Sequence, residues 1–253
     1  YLVAFLVFSI FLTFSMFAQN WTQVGADIDG EGAGLAHDYS GHSIDVSSDG
    51  DIVVIGAPML DFTNNVPSSL NGYVRIYQNI GGNWNQIGQD INGEYWGDKN
   101  GWSVSISSAG NIVAIGSPDN DGDANNPNWY QDNRGSVRIY QNTGGSWSQI
   151  GQDIDGTCGD FSGHSVSLSS NGERVAIGST GTGGYYCSGS DYVKIYEWNG
   201  SSWNQLGQDI DGEAAEDQSG YSVSLSSDGN TVAIGAIDND GNTGDPDDDR
   251  GHV

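Results

Sequence analysis

Basic residues are scarce in this chain: seven lysines and arginines stand against 33 aspartates and glutamates, for a formal charge of −26. They are scattered rather than clustered, so a phosphate backbone would be repelled and nucleic acid is excluded as a partner class. Cysteine is nearly absent; Cys158 and Cys187 are the only two, too few for a fold held by a disulfide framework. Beyond the first twenty residues no apolar run approaches the length of a membrane span. From Trp21 onward no segment shows a helical period. No Ser-His-Asp, zinc-ligand or phosphate-loop pattern stands out, and with so many carboxylates a chosen pair of acids says nothing about glycosidase chemistry. No catalytic residue is therefore assigned, and the chain reads more as a non-enzyme than as an enzyme.

What the chain does have is a repeated phrase. Trp84-Asn-Gln-Ile-Gly-Gln-Asp-Ile-Asn-Gly93 recurs as Trp147-Ser-Gln-Ile-Gly-Gln-Asp-Ile-Asp-Gly156 and as Trp203-Asn-Gln-Leu-Gly-Gln-Asp-Ile-Asp-Gly212, after an opening copy at Trp21-Thr-Gln-Val-Gly-Ala-Asp-Ile-Asp-Gly30. Trp21 to Trp84 and Trp84 to Trp147 are each 63 residues, and Trp147 to Trp203 is 56, a period long enough for one small sheet per unit. The chain is an array.

Residues 1–18 are uncharged and largely apolar, with a small residue at Ala18, and read as a secretory signal peptide; an uncleaved membrane anchor is the other reading. This predicts a secreted or cell-surface protein with no membrane contact after cleavage. The chain opens at Tyr1 inside the apolar stretch, and Arg250-Gly-His-Val253 aligns with Arg134-Gly-Ser-Val137, which continues through Tyr140. The expectation is a fragment whose last strand is cut.

Each unit holds four short segments of two-residue alternation separated by Gly, Asn, Asp and Ser. In the second unit the pattern predicts strand A over Trp102–Ser107, B over Asn111–Ser117, C over Ser136–Asn142 and D over Trp147–Ile154. Val104 and Ile106 oppose Ser103, Ser105 and Ser107, and Val113 and Ile115 oppose Ala114 and Gly116. A sheet bulky on one face and small on the other suits stacking on its own copies. The predicted fold is all-β, a β-propeller of four-stranded antiparallel blades, with three full blades, one truncated, and Trp21–Ile28 as a closing D strand. An open β-solenoid is the alternative.

Ser40-Gly-His-Ser-Ile-Asp-Val-Ser-Ser-Asp-Gly-Asp-Ile-Val-Val-Ile-Gly-Ala-Pro58, followed by Gly72-Tyr-Val-Arg-Ile-Tyr77, resembles the FG-GAP repeat, the blade unit of integrin alpha-subunit propellers and of many secreted bacterial proteins. The pattern returns at Asn100-Gly101 with Gly116-Ser-Pro118, at Ser162-Gly163 with Gly178-Ser179, and at Ser219-Gly220 with Gly235-Ala236. The resemblance implies a propeller over residues 19–253, with blades near 41–91, 101–154, 163–210 and 220–253. Ser or Asn replaces the family's phenylalanine, and the A–B turn (Ser47 to Gly50) is shorter than in calcium-bearing members. Cation binding is not expected at the A–B turns.

In such blades the B–C loops and D-to-A connections share one side of the disc. The B–C loops vary while the A–B and C–D turns are nearly uniform, so specificity is expected on the B–C side. Asp119, Asp121 and Asp123, and Asp238, Asp240 and Asp245, alternate with Asn and Gly; they read either as plain turns or as hard-oxygen ligands for Ca²⁺. The Asp-Ile-Asp-Gly element (Asp27 to Gly30, Asp209 to Gly212) reads as a blade-to-blade turn. Tyr95, Trp96, Trp129, Tyr130, Tyr185 and Tyr186, with Phe62 and Phe161, read as ligand-binding platforms or as covers for the blade ends. His42, Trp102, His164 and Tyr221 fill equivalent positions and are expected to pack between blades. Cys158 and Cys187 fall on the same side of one blade and are expected to pair. The leading function is a recognition or adhesion module for a glycan or an extracellular protein, with Ca²⁺ as the one cofactor considered. The alternatives are part of a secreted carbohydrate-active enzyme, or a spacer within a larger surface protein.

Overall fold

The computed structural model describes residues 21–30, 37–58, 71–95, 97–122, 132–181, 187–214, 216–240 and 251–253. The expected signal segment 1–18 lies outside them. Among the described residues there is no helix, so none is long and apolar enough to cross a membrane.

Four antiparallel sheets follow one another along the chain. The first holds β1 (Ser43–Val46), β2 (Ile52–Ala57), β3 (Tyr73–Ile80), β4 (Asn83–Gln86) and β5 (Ile91–Asn92). The second holds β6 (Ser103–Ile106), β7 (Ile112–Ser117), β8 (Ser136–Thr143), β9 (Ser146–Gln149) and β10 (Ile154–Asp155). The third holds β11 (Ser165–Leu168), β12 (Arg174–Thr180), β13 (Asp191–Trp198), β14 (Trp203–Gln205) and β15 (Ile210–Asp211). The fourth holds β16 (Ser219–Leu225) and β17 (Val232–Ala236), with an isolated bridge from Ala236 to His252 where a third strand would run.

The expected D strand is one strand in two pieces. Both β9 and β10 pair with β8, but the four residues of β8 from Val137 to Tyr140 face six on the other side, Gln149 to Ile154. The first and third sheets repeat this step. The uninterrupted strand over Trp147–Ile154 is therefore corrected to a strand with a two-residue bulge. So is the Asp-Ile-Asp-Gly turn: Ile91, Ile154 and Ile210 begin the second half of the D strand.

The bulge explains the repeated phrase. The Trp147 indole N–H donates to Ile87 O at 2.9 Å and the Trp203 indole to Ile150 O at 3.0 Å, each reaching the bulge of the preceding sheet. Gly88 and Gly151 hold φ of 74° and 77°, and a Cβ there would sit 2.9 and 2.7 Å from the neighbouring tryptophan ring. Glycine is required twice over, for the left-handed backbone and for the ring above it. Gln205 spans its own bulge to Asp209 at 2.6 Å, as Gln86 does to Asp90.

Sheets stack as blades. The innermost strands β1, β6, β11 and β16 contact one another in succession. At their far ends the A–B turns form a chain of backbone bonds, Ser48 N to Ser108 O, Ser108 N to Ser170 O, and Ser170 N to Ser227 O. One core joins Val54, Val74 and Ile76 of the first blade to Val104, Val113 and Ile115 of the second; the next joins Ile112, Ala114 and Ile139 to Val166, Val175 and Ile177. Bulky faces meet small ones, as the alternation predicts. Closest approach falls at Gly56, Gly116 and Gly178, where a Cβ would lie 2.1 Å from a carbonyl of the next blade. Trp21–Gly30 is not a strand and has no ladder partner among the described residues, yet Trp84 donates to Val24 O at 2.9 Å. The segment makes the contact of a D bulge without its sheet.

Candidate functional site

Four copies of one tight loop lead into the innermost strands: Asp38-Tyr-Ser-Gly41, Asp98-Lys-Asn-Gly101, Asp160-Phe-Ser-Gly163 and Asp217-Gln-Ser-Gly220. In each, the second residue adopts a left-handed conformation without being glycine, at φ of 56° (Tyr39), 55° (Lys99), 54° (Phe161) and 52° (Gln218). Such residues cost roughly 1–2 kcal/mol each. An i→i+3 backbone bond closes every loop, from His42, Trp102, His164 and Tyr221 N–H at 2.9 to 3.1 Å.

The leading aspartates are all buried, between 2% and 9% exposed, and each accepts several bonds, as a buried carboxylate must. Asp38 takes Tyr73 Oη–H at 2.6 Å and Asp160 takes Tyr192 Oη–H at 2.7 Å. In the second and fourth blades an asparagine replaces the tyrosine: Asn120 bonds Asp98, and Asn239 Nδ2 donates to Asp217 at 2.8 Å. Asp98 also accepts the Glu94 and Tyr95 N–H groups; burial raises its pKa and these bonds pull it back. These aspartates were not among the sequence candidates, although their position three residues before each repeat glycine is visible in the alignment.

The loops deliver a row of aromatic side chains to the inner edge of this side. His42 and Trp102 have ring centroids 4.5 Å apart, Trp102 and His164 5.7 Å, and His164 and Tyr221 4.8 Å, with interplanar angles of 45° to 53°. Every contact crosses from one blade to the next. Burial first, then Lys99, lowers the pKa of His42; burial likewise dominates at His164, whose Nδ1 lies 3.2 Å from Tyr221 O. Both imidazoles are thus neutral near pH 7 and present uncharged ring surface. Lys99 Nζ sits 5.1 Å from the Trp102 ring and 2.7 Å from Asp119 Oδ2, joining the row to the B–C loop.

Of the proposed cation ligands, Asp119 is thus engaged by an ammonium. Asp121 accepts the Asn133 N–H at 2.8 Å, and burial with help from Asp119, Asp132 and Asp98 raises its pKa to about 6. Asp238 accepts from Gln218 Nε2, and Asp240 also has an interaction partner. Among the described residues no group of three His, Cys, Asp or Glu side chains is placed to hold a metal. Asp123 and Asp245 lie outside the described residues, as do Phe62, Trp96, Trp129, Tyr130, Tyr185 and Tyr186. Tyr95 is described and 36% exposed, with its N–H on Asp98. Cys158 and Cys187 form a disulfide with Cα atoms 6.0 Å apart. It ties the connection entering β11 to the loop before β13, beside Asp132 O, which accepts the Gly159 N–H.

No family model matches this chain, and no curated protein does. Among solved structures, it is similar to a 6-phosphogluconolactonase candidate from Bacteroides fragilis, at 12% identity and a TM-score of 0.49, over 78% of this chain and 48% of that one. It is similar also to Kuenenia stuttgartiensis hydrazine synthase, at 15% identity and a TM-score of 0.46, over 77% and 49%. The chain spans about half the length of these structures.

Proposed function

We propose that this chain is an FG-GAP-type recognition module of a secreted or cell-surface protein, and that it binds a saccharide on the side carrying the B–C loops. The row His42, Trp102, His164 and Tyr221 carries the reading. Four blades each spend a strained loop to place an aromatic ring at the same edge, and strain repeated at one site is the mark of a position kept for use. Neutral rings offer faces to sugar C–H groups, and Asp119 and Lys99 beside them offer hydroxyl partners. The disulfide supports an oxidising compartment. Binding to a glycan array tests the proposal. Loss of the signal on Trp102→Ala together with Tyr221→Ala, in protein that still unfolds cooperatively, is expected; binding that survives both changes overturns it.

A further inference from the structure

The first three blades differ in the hairpin that joins their outer strands. Asn79 and Asn142 cap the first two, each Oδ1 accepting the glycine N–H three residues on, Gly82 at 2.8 Å and Gly145 at 3.0 Å. In the third, Trp198 stands in that place, opposite Trp203 in the ladder and with its ring against Gly151 of the preceding bulge. The capping asparagine has moved one residue outward, to Asn199. Its Oδ1 accepts the Ser201 N–H and the Ser201 Oγ–H at 2.9 Å each, and the Ser202 N–H at 3.0 Å. The shift creates Asn199-Gly200-Ser201, the acceptor tripeptide of asparagine-linked glycosylation, which Asn79-Ile-Gly81 and Asn142-Thr-Gly144 lack. The tripeptide recurs at Asn20-Trp-Thr22, where Asn20 lies outside the described residues. Asn199, Gly200 and Ser201 are all exposed. That exposure belongs to the turn itself: Thr143 and Gly144 hold the same place in the second blade and are exposed although a five-stranded sheet flanks that blade on either side. A Cβ on Gly144 or Gly200 would meet nothing within 4 Å.

We propose that Asn199 is the attachment point of an N-linked glycan, received from a lipid-linked saccharide; the proposal rests on the export of the chain argued above. Nδ2 attacks the anomeric carbon of a saccharide carried on a lipid pyrophosphate. The C–N bond forms, the C–O bond to phosphate breaks with its electron pair, the pyrophosphate leaves on the lipid, and the Nδ2 proton passes to a base of the transferase. Three donors on Oδ1 stabilise the negative charge that gathers there as Nδ2 gives up its proton, and the Ser201 hydroxyl is one of them. Nδ2 itself makes one long bond, to Ser202 Oγ at 3.2 Å, through one of its two hydrogens. The β13–β14 turn lies on the side of the blade away from the B–C loops, so a glycan there leaves the aromatic row clear.

Glycopeptide mass spectrometry of the protein recovered from its own cells and from their surroundings is the test. Cleavage after Lys194 and Arg250 yields one peptide that holds Asn199 and no other acceptor tripeptide. A glycan on that peptide is expected, lost in Asn199→Gln and in Ser201→Ala and kept in Ser201→Thr. Ser201→Ala leaves both backbone bonds to Oδ1, so the hairpin retains its cap, and cooperative unfolding of the variant shows that the loss is one of recognition rather than of fold. Exported protein with the Cys158–Cys187 bond formed and Asn199 bare overturns this proposal and leaves the export reading standing. Protein held in the cytoplasm with both thiols free and Asn199 bare overturns both. A glycan that persists on Asn199 in Ser201→Ala also overturns the proposal, since the tripeptide would then not be what is recognised.

Discussion

At the scale of single residues, the repeated phrase is a set of contacts between units. Gly151→Ala would place a methyl at φ 77° and 2.7 Å from the Trp203 ring, so a loss of about 2 kcal/mol is expected by denaturant unfolding. Trp203→Phe keeps most of the packing but leaves Ile150 O without its indole donor, for about 1 kcal/mol. Asp121 makes an opposite prediction. Its folded pKa is raised to about 6 from 3.8, so between those values the folded state holds more protons than the unfolded one. Stability therefore falls as pH rises through that window. Asp121→Asn keeps the oxygen that accepts the Asn133 N–H and removes the charge. After discounting for its half-exposed position, a gain of about 1 kcal/mol is expected at pH 7.5, vanishing below pH 4, in melts across pH.

At the scale of elements, the third blade's B–C loop and entry loop are held by covalent and polar ties together. Cys158 and Cys187 enclose a separation of 29 residues. Replacing both by serine is expected to cost about 3 kcal/mol in the chain-entropy account, and to speed amide exchange at Ser190, which donates to Asp160, before it affects β12. A mutant whose exchange rises equally in β12 and in the loop would show that the bond supports the whole blade instead. The alternation between Tyr73 or Tyr192 and Asn120 or Asn239 as partners of the buried aspartates shows how unlike loops keep one entry geometry. The carboxylate is constant, and its donor comes from whichever element approaches it.

At the scale of the molecule, each blade contributes half of two interfaces, and stability is a sum of neighbour terms. Val104 is 8% exposed against the first blade, whereas Ile44, at the same point of the first blade's inner strand, is 68% exposed. Val104→Ala is expected to cost about 2 kcal/mol and Ile44→Ala less than about 0.5 kcal/mol, measured by chemical denaturation of this chain. Equal costs would mean that the outer face of the first blade is covered in solution.

Periodicity alone made the blade legible. Strands β6, β7 and β8 fall within a residue or so of their expected limits, because a sheet with one bulky and one small face writes its alternation into every second residue. The pairing of Cys158 with Cys187 followed from blade topology in the same way. The bulge was hidden, since Trp147–Ile154 reads as one extended run and only the next blade's tryptophan, lying on Gly151, shows why two residues must leave the ladder. The buried aspartates were hidden for a related reason: a short string of Asp, any residue, Ser or Asn, and Gly looks like any polar turn until its partners, 20 to 35 residues away, close around it. Local pattern determines which residues can form a sheet and which face is apolar. Only the stacked tertiary structure decides which polar groups are taken out of water and which rings meet across blades.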